Sequence, residues 1–154
     1  MSSCEKDDLC IPEEAATPRL IILFTDSNNF LIRKPVEGLQ VLDRISGNPA
    51  PLNADGAKTL SQVDSIAIPL RIEPGNSQFS FIRTLNGAVN RDPIDFNYIV
   101  DEEYINRACG FKAIYTELAA ERLGKSPTAP WIQSIIIRDS SVTSNQDIHV
   151  EIRH

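Results

Sequence analysis

The 154-residue chain has no long hydrophobic run. The longest, LIILF at 20–24, is strand-sized, far short of the roughly 20 apolar residues that cross a bilayer as a helix. It is also short of basic charge: 15 Lys and Arg stand against 21 Asp and Glu, a formal net charge of −6. No basic face is available for a phosphate backbone, which excludes nucleic acid as a partner. Histidine is scarce. His149 and His154 differ by an odd number of positions, so on one strand they point to opposite faces and cannot form a facing metal or base pair there. His154 also ends the sequence, where a chain is expected to fray. Internal repeats and low-complexity tracts are absent.

What is present is period-two alternation. In SIAIPLRI, Ile66, Ile68, Leu70 and Ile72 share one face of a strand. Pro69 has no N–H to donate, which marks that strand as an edge or a bulge. PGN at 74–76 reads as a turn into QFSFIRTL, giving a hairpin, and NGAVNRDP at 86–93 as the next turn. Ile94, Phe96, Tyr98 and Val100 then alternate with polar residues along a longer strand, and Ile148, Val150 and Ile152 do so at the end. RLIILF is apolar on both faces, as in a central strand; LQVLDRI and WIQSIIIRD are also strand-like. The stretch 46–62 reads as a long loop, and TELAAERL at 116–123, rich in strong helix formers, predicts two turns of helix before GKSPTAP ends it. The sum is an all-β chain: an immunoglobulin-like antiparallel β-sandwich with one short helix in a connection.

Few residues in this frame carry chemistry. AAERLGKS at 119–126 fits a loose phosphate-loop pattern, with Ala119 where a glycine belongs. A helix before the GKS, Glu121 facing the phosphates and Pro127 and Pro130 after it all argue against nucleotide. Asp101, Glu102 and Glu103, with Asp92 or Asp95, could surround calcium, but they lack the glycine-containing spacing of a calcium loop, so no metal and no cofactor is expected. A Cys109–His149 catalytic pair lacks a helix N-terminus that would lower the thiol pKa. Trp131, Tyr98, Tyr104 and Tyr115 are read as core aromatics in preference to a ligand groove.

The head of the chain is MSSCEKDDLC, with two of the three cysteines in an acidic, apolar-poor segment. Met1 is followed at once by polar residues and no leader stands before it, so it reads as a mature form with an added methionine. Ser2-Ser3-Cys4 resembles the end of a bacterial lipobox, whose cysteine becomes the lipidated N-terminus. Glu5-Lys6-Asp7-Asp8 resembles the surface-export signal of Bacteroidota lipoproteins, in which Lys6, Asp7 and Asp8 are the signal residues. Such an acidic tether stays solvated between lipid and fold. The segments PRLIILF, DSIAIPLR, FNY with RACGFKAIY, and WIQSI resemble a family of small Bacteroidota envelope lipoproteins of unknown function, with RACGF at 107–111 its most recognisable part. The resemblance implies an envelope location and an all-β domain, and it implies no catalytic residue. Asp64-Ser65-Ile66 resembles the three-residue Bacteroidota O-glycosylation motif, with Ser65 the acceptor.

With Cys4 assigned to lipid, Cys10 and Cys109 remain, and an exported protein meets an oxidising compartment where such pairs persist as disulfides. The competing reading is two free thiols; Cα atoms within about 7 Å decide for the bridge. The division is then 1–17, a lipid-anchor and tether segment, and 18–154, a single sandwich domain. The expected function is a non-enzymatic, surface-exposed outer-membrane lipoprotein acting as a binding or assembly-accessory module. Its membrane contact is the N-terminal lipid anchor, and its partner is a protein or glycan, with the loops 46–62 and 124–130 as contact regions. The alternative is a hydrolase of an envelope polymer, which needs paired carboxylates in a cleft; Asp92, Asp95, Asp101 and Glu103 are the local supply.

Overall fold

The computed structural model describes residues 9–124 and 130–154. A four-residue helix, α1 (Pro12–Ala15), leads into nine strands among these residues: β1 (Leu20–Thr25), β2 (Val36–Asp43), β3 (Leu60–Val63), β4 (Ser65–Ile68), β5 (Asn76–Leu85), β6 (Ala88–Asn106), β7 (Gly110–Arg122), β8 (Ser134–Ile137) and β9 (Val150–Arg153). They form two sheets, one ordered β4-β1-β9-β8 and the other β3-β2-β5-β6-β7. Leu20, Ile22 and Phe24 of β1, Val150 and Ile152 of β9, Phe79 and Phe81 of β5 and Ile94 and Phe96 of β6 meet in one buried core between them. The chain is thus an all-β sandwich. RLIILF supplies an interior strand, and β4, which ends just before Pro69, is an edge. Every ladder is antiparallel except β1–β9, where Ile22 lies beside Val150 in parallel.

Three local expectations are corrected. TELAAERL is not a helix: it is the second half of β7, with Phe96 opposite Ala120 and Asp95 opposite Glu121. Tyr115 and Leu118 are buried, and the extra residue that lets both turn inward is Glu117, at φ 54, beside a register shift between Asn97 and Ile99. A ready-made ladder along β6 outweighs the helix preference of Leu, Ala and Glu, which amounts to a few tenths of a kcal/mol per residue. The one short helix lies instead in the N-terminal segment.

The expected hairpin of SIAIPLRI with QFSFIRTL is also absent. β4 pairs with β1, Ile66 opposite Ile22, and β5 lies in the other sheet. Residues 69–75 cross between the sheets, so Ile72 leaves the apolar face and is 50% exposed. The crossing is held from inside: Tyr98 Oη donates to the Arg71 carbonyl at 2.6 Å, Tyr115 Oη to the Leu70 carbonyl at 3.2 Å, and Ser77 Oγ accepts from the Arg71 amide at 2.9 Å. Finally, the turn expected over 86–93 is only Asn86-Gly87. Both are left-handed, φ 53 and 80, the two-residue turn whose twist matches paired strands, so β6 begins at Ala88.

The 46–62 stretch does not project. Ala50 and Leu52 are buried, the Ala50 amide donates to the Val41 carbonyl, and the Ala67 amide donates to Leu52. Gly38 has φ +56, and a Cβ there would meet Thr84 Cβ and the Thr84 carbonyl oxygen at 2.9 Å, so a glycine lets β2 close onto β5.

Candidate anchoring site

β5 begins at Asn76, opposite Asn97, but β6 runs on to Asn106. The surplus of β6, with the first residues of β7, forms a two-stranded arm beyond the sandwich. Its tip is a short turn in which Asn106 Oδ1 accepts from the Cys109 amide at 2.7 Å and Gly110 takes φ 72. Cys109 is bonded there to Cys10, with Cα atoms 4.8 Å apart and 99 positions between them in sequence. Asn106 Nδ2 also donates to the Leu9 carbonyl at 3.4 Å. From Cys10 the chain passes through α1 to β1, where the Arg19 amide donates to Asn145 Oδ1 at 2.7 Å. Leu9, Ile11, Tyr104 and Phe111 are all about half exposed or more around this junction. Tyr104 and Phe111 face each other across the arm, rings 5.3 Å apart. Cys4, Lys6, Asp7 and Asp8 lie outside the described residues. Cys10 is therefore the first covalently fixed point after them, and Cys109 is a disulfide half and not a nucleophile.

The carboxylates offered for a hydrolase do not converge. Asp92 faces inward with Ile94 and Phe96 and is 1% exposed; Asp95, Asp101 and Glu103 have the opposite parity. Asp92 accepts from the Ile132 amide at 2.8 Å. Burial pushes its carboxyl above the usual range, against the Ile132 and Trp131 amides and the charges of Arg122 and Arg83. Asp95 pairs with Arg44, Glu103 with Lys112 at 3.5 Å, and Asp101 is exposed. Among the described residues no group of three or more His, Cys, Asp or Glu side chains is arranged to hold a metal ion. The phosphate-loop pattern falls partly outside the described residues. Ala119, Ala120 and Glu121 lie in the β6–β7 ladder, and the helix argued to precede the GKS is this strand. Ser65 is exposed on edge strand β4, beside Asp64, which lies 3.6 Å from Arg33.

His154 does not fray. It is 5% exposed, its amide donates to the Thr25 carbonyl, and its ring lies edge-on to Phe24 and Trp131. His149 is fully buried, and its Nδ1 accepts from the Ile21 amide at 3.0 Å. Burial holds both imidazoles below their ordinary pKa. Asp139, Asp147 and the Ser144 backbone oppose this at His149; at His154 the hydrogen bond to Lys34 opposes it, and the charges of Lys34 and Arg83 reinforce it. Below about pH 6.5 the unfolded chain therefore takes up protons that the folded one refuses. The stabilisation is complete above that pH and is lost as pH falls through it. The urea midpoint in phosphate-free buffer is expected to be lower at about pH 5 than at about pH 7.5. A midpoint unchanged or higher at the acid end would contradict this expectation, and the same comparison on Asp92→Asn removes the opposing contribution of the buried Asp92 carboxyl.

Sequence patterns missed two ion pairs, Arg71–Asp43 at 3.0 Å, which ties the crossing segment to the end of β2, and Arg44–Asp95, which spans β5 within one sheet. They also missed Asp92 as the acceptor that seats the Trp131-Ile132 segment. Each partner lies at least 28 positions away, and no local signal announces it.

Two packed sheets with an N-terminal segment stapled to a projecting hairpin define a disulfide-tied β-sandwich protein, and no helix among the described residues is long and apolar enough to cross a membrane. The chain belongs to the family of unknown function DUF6452, whose model matches residues 47–154. The matched span takes in strands β3 to β9 and the hairpin tip. No curated protein and no solved structure matches the chain.

Proposed function

We propose that this protein is a non-enzymatic lipoprotein of the Bacteroidota cell envelope, held to the outer membrane by lipid on Cys4 and displayed at the surface as a binding or assembly-accessory module for a protein or glycan. The observation that carries the reading is the Cys10–Cys109 bond, since such bonds persist in oxidising, extracytoplasmic compartments. Its position adds a mechanical reason. A load on Cys4 passes through five residues to a covalent junction with the β6–β7 arm, not to a fraying end. The scattered carboxylates favour the binding role over the hydrolase. The resemblance of Ser2-Ser3-Cys4 to a lipobox end, and of Lys6-Asp7-Asp8 to an export signal, gives the anchor and the orientation.

The test places a lipoprotein signal peptide before Ser2 and expresses the chain in a Bacteroidota host with labelled palmitate. The wild type is expected to take up label and to be cut by protease added to intact cells. Cys4→Ser should lose the label, and alanine at Lys6, Asp7 and Asp8 together should keep the label but gain protection. An unlabelled wild type, or one cut only after lysis, contradicts the reading.

A further inference from the structure

The end of the sandwich at Thr25, away from the disulfide, holds a pocket of about 400 Å³ lined by Lys34, Glu37, Gln62, Arg83 and His154, with Pro35 and Leu85 as apolar walls. Arg83 follows Phe79 and Phe81 in the inward parity of β5. Its guanidinium lies 5.4 Å above the Trp131 ring. Its Nε is buried without a hydrogen-bond partner, and it makes no ion pair among the described residues. His154 donates from Nε2 to the Lys34 carbonyl at 2.9 Å. Its Nδ1 is also buried and unpartnered. Lys34 Nζ is positioned by one bond to the His154 main-chain oxygen at 3.2 Å, which uses one of its three donors.

We propose that this pocket binds a phosphate-type oxyanion, as a free phosphate ester or as a lipid headgroup, between Arg83, Lys34 and His154. The chemistry selects the class. A guanidinium, an ammonium and an imidazole converge on one concavity, and only a ligand rich in acceptors pairs all of them. An apolar ligand would leave the buried donors unmet, and a cation would meet two positive charges. Pro35 and Leu85 leave room for the organic part of an ester. The chain is acidic overall, yet among the described residues Glu37 is the one acidic side chain lining this pocket.

His154 makes the binding pH-dependent. In the free protein its ring is kept neutral by burial, with Lys34 and Arg83 disfavouring the charged form and Asp26 favouring it. In that state Nδ1 holds a lone pair and cannot donate. An oxyanion beside it favours the imidazolium, so binding takes up a proton and Nδ1–H becomes a third donor. Affinity is therefore higher below the free-state pKa and falls as pH rises.

The test uses the full chain carrying Cys4→Ser, so that its result is independent of lipidation. Calorimetry with sulfate, whose charge does not change between about pH 5 and 8, separates the protein's titration from the ligand's. Saturable binding is expected, roughly tenfold tighter at the acid end, with proton uptake seen as a dependence of the enthalpy on buffer. Arg83→Gln should weaken sulfate and glycerol phosphate by roughly tenfold or more. Glu37→Gln should tighten both by removing a like charge, a gain that misfolding cannot imitate. Equal affinity for glycerol phosphate and for phosphatidate in phosphatidylcholine vesicles assigns a headgroup. Binding to glycerol phosphate without vesicle binding assigns a soluble ester. No saturable binding of sulfate or glycerol phosphate by the wild type, or an affinity that Glu37→Gln leaves unchanged or lowers, overturns the proposal.

Discussion

Reducing the Cys10–Cys109 bond, or replacing Cys109 by Ser, is expected to lower the melting temperature by about 10–15 °C. The bond closes a loop of 99 positions, and constraining the unfolded chain over that length stabilises the fold by about 4.7 kcal/mol on the loop-entropy model, an upper figure for measured cases. On the N-terminal side the segment carries little packing: residues 9–14 are exposed and α1 buries no side chain, while Asn106 Nδ2 donates to the Leu9 carbonyl at 3.4 Å. Local release should therefore accompany the global loss. Limited proteolysis of the reduced protein is expected to cut first within 9–18, before the sandwich opens. Thermal unfolding with and without reductant measures the first effect, and mass mapping of early fragments the second. A drop below about 3 °C would mean that the reduced chain keeps its ends together by other contacts.

Trp131→Ala is expected to cost about 3–5 kcal/mol, the range for emptying a buried aromatic site. Trp131 is 3% exposed. Its ring stacks 6.5 Å from Phe24 and meets the His154 edge at 5.5 Å, and Nε1 donates to the Phe81 carbonyl at 3.0 Å. Truncation leaves a cavity between the sheets, an unpaired Phe81 carbonyl and no surface beneath Arg83. Trp131→Phe keeps most of the volume and loses the donor, so its cost should be about 1–3 kcal/mol. Urea unfolding of the two variants separates packing from hydrogen bonding. A cost below about 1 kcal/mol for the alanine variant would place the indole outside the core.

The period-two runs determined the class of fold. Ile94, Phe96 and Tyr98 could bury one face only as a strand, because side-chain direction alternates whatever the partner is. Pro69 marked an edge or a bulge because it has no N–H to donate, and the 86–93 stretch marked a turn, which only Asn86-Gly87 form in the structure. The cysteine count, with Cys4 set aside, left one available pair. These are properties of single residues and their near neighbours.

Strand partners were decided by the tertiary structure alone. The parallel pairing of Ile22 with Val150 spans most of the chain, and the choice of β1 over β5 as the neighbour of β4 depends on where the whole core closes. TELAAERL had the composition of a helix and became a strand because β6 offered a ladder and the core took up Tyr115 and Leu118. His154, read as a fraying end, is held by Thr25, Lys34, Phe24 and Trp131, all more than 20 positions away. The carboxylates of 92–103 were near in sequence, yet strand parity and burial sent Asp92 inward and the others outward. The pocket of Lys34, Arg83 and His154 had no sequence signal at all. Its members come from three separate segments and meet only because two sheets close over one another, which local propensities of a few tenths of a kcal/mol per residue cannot encode.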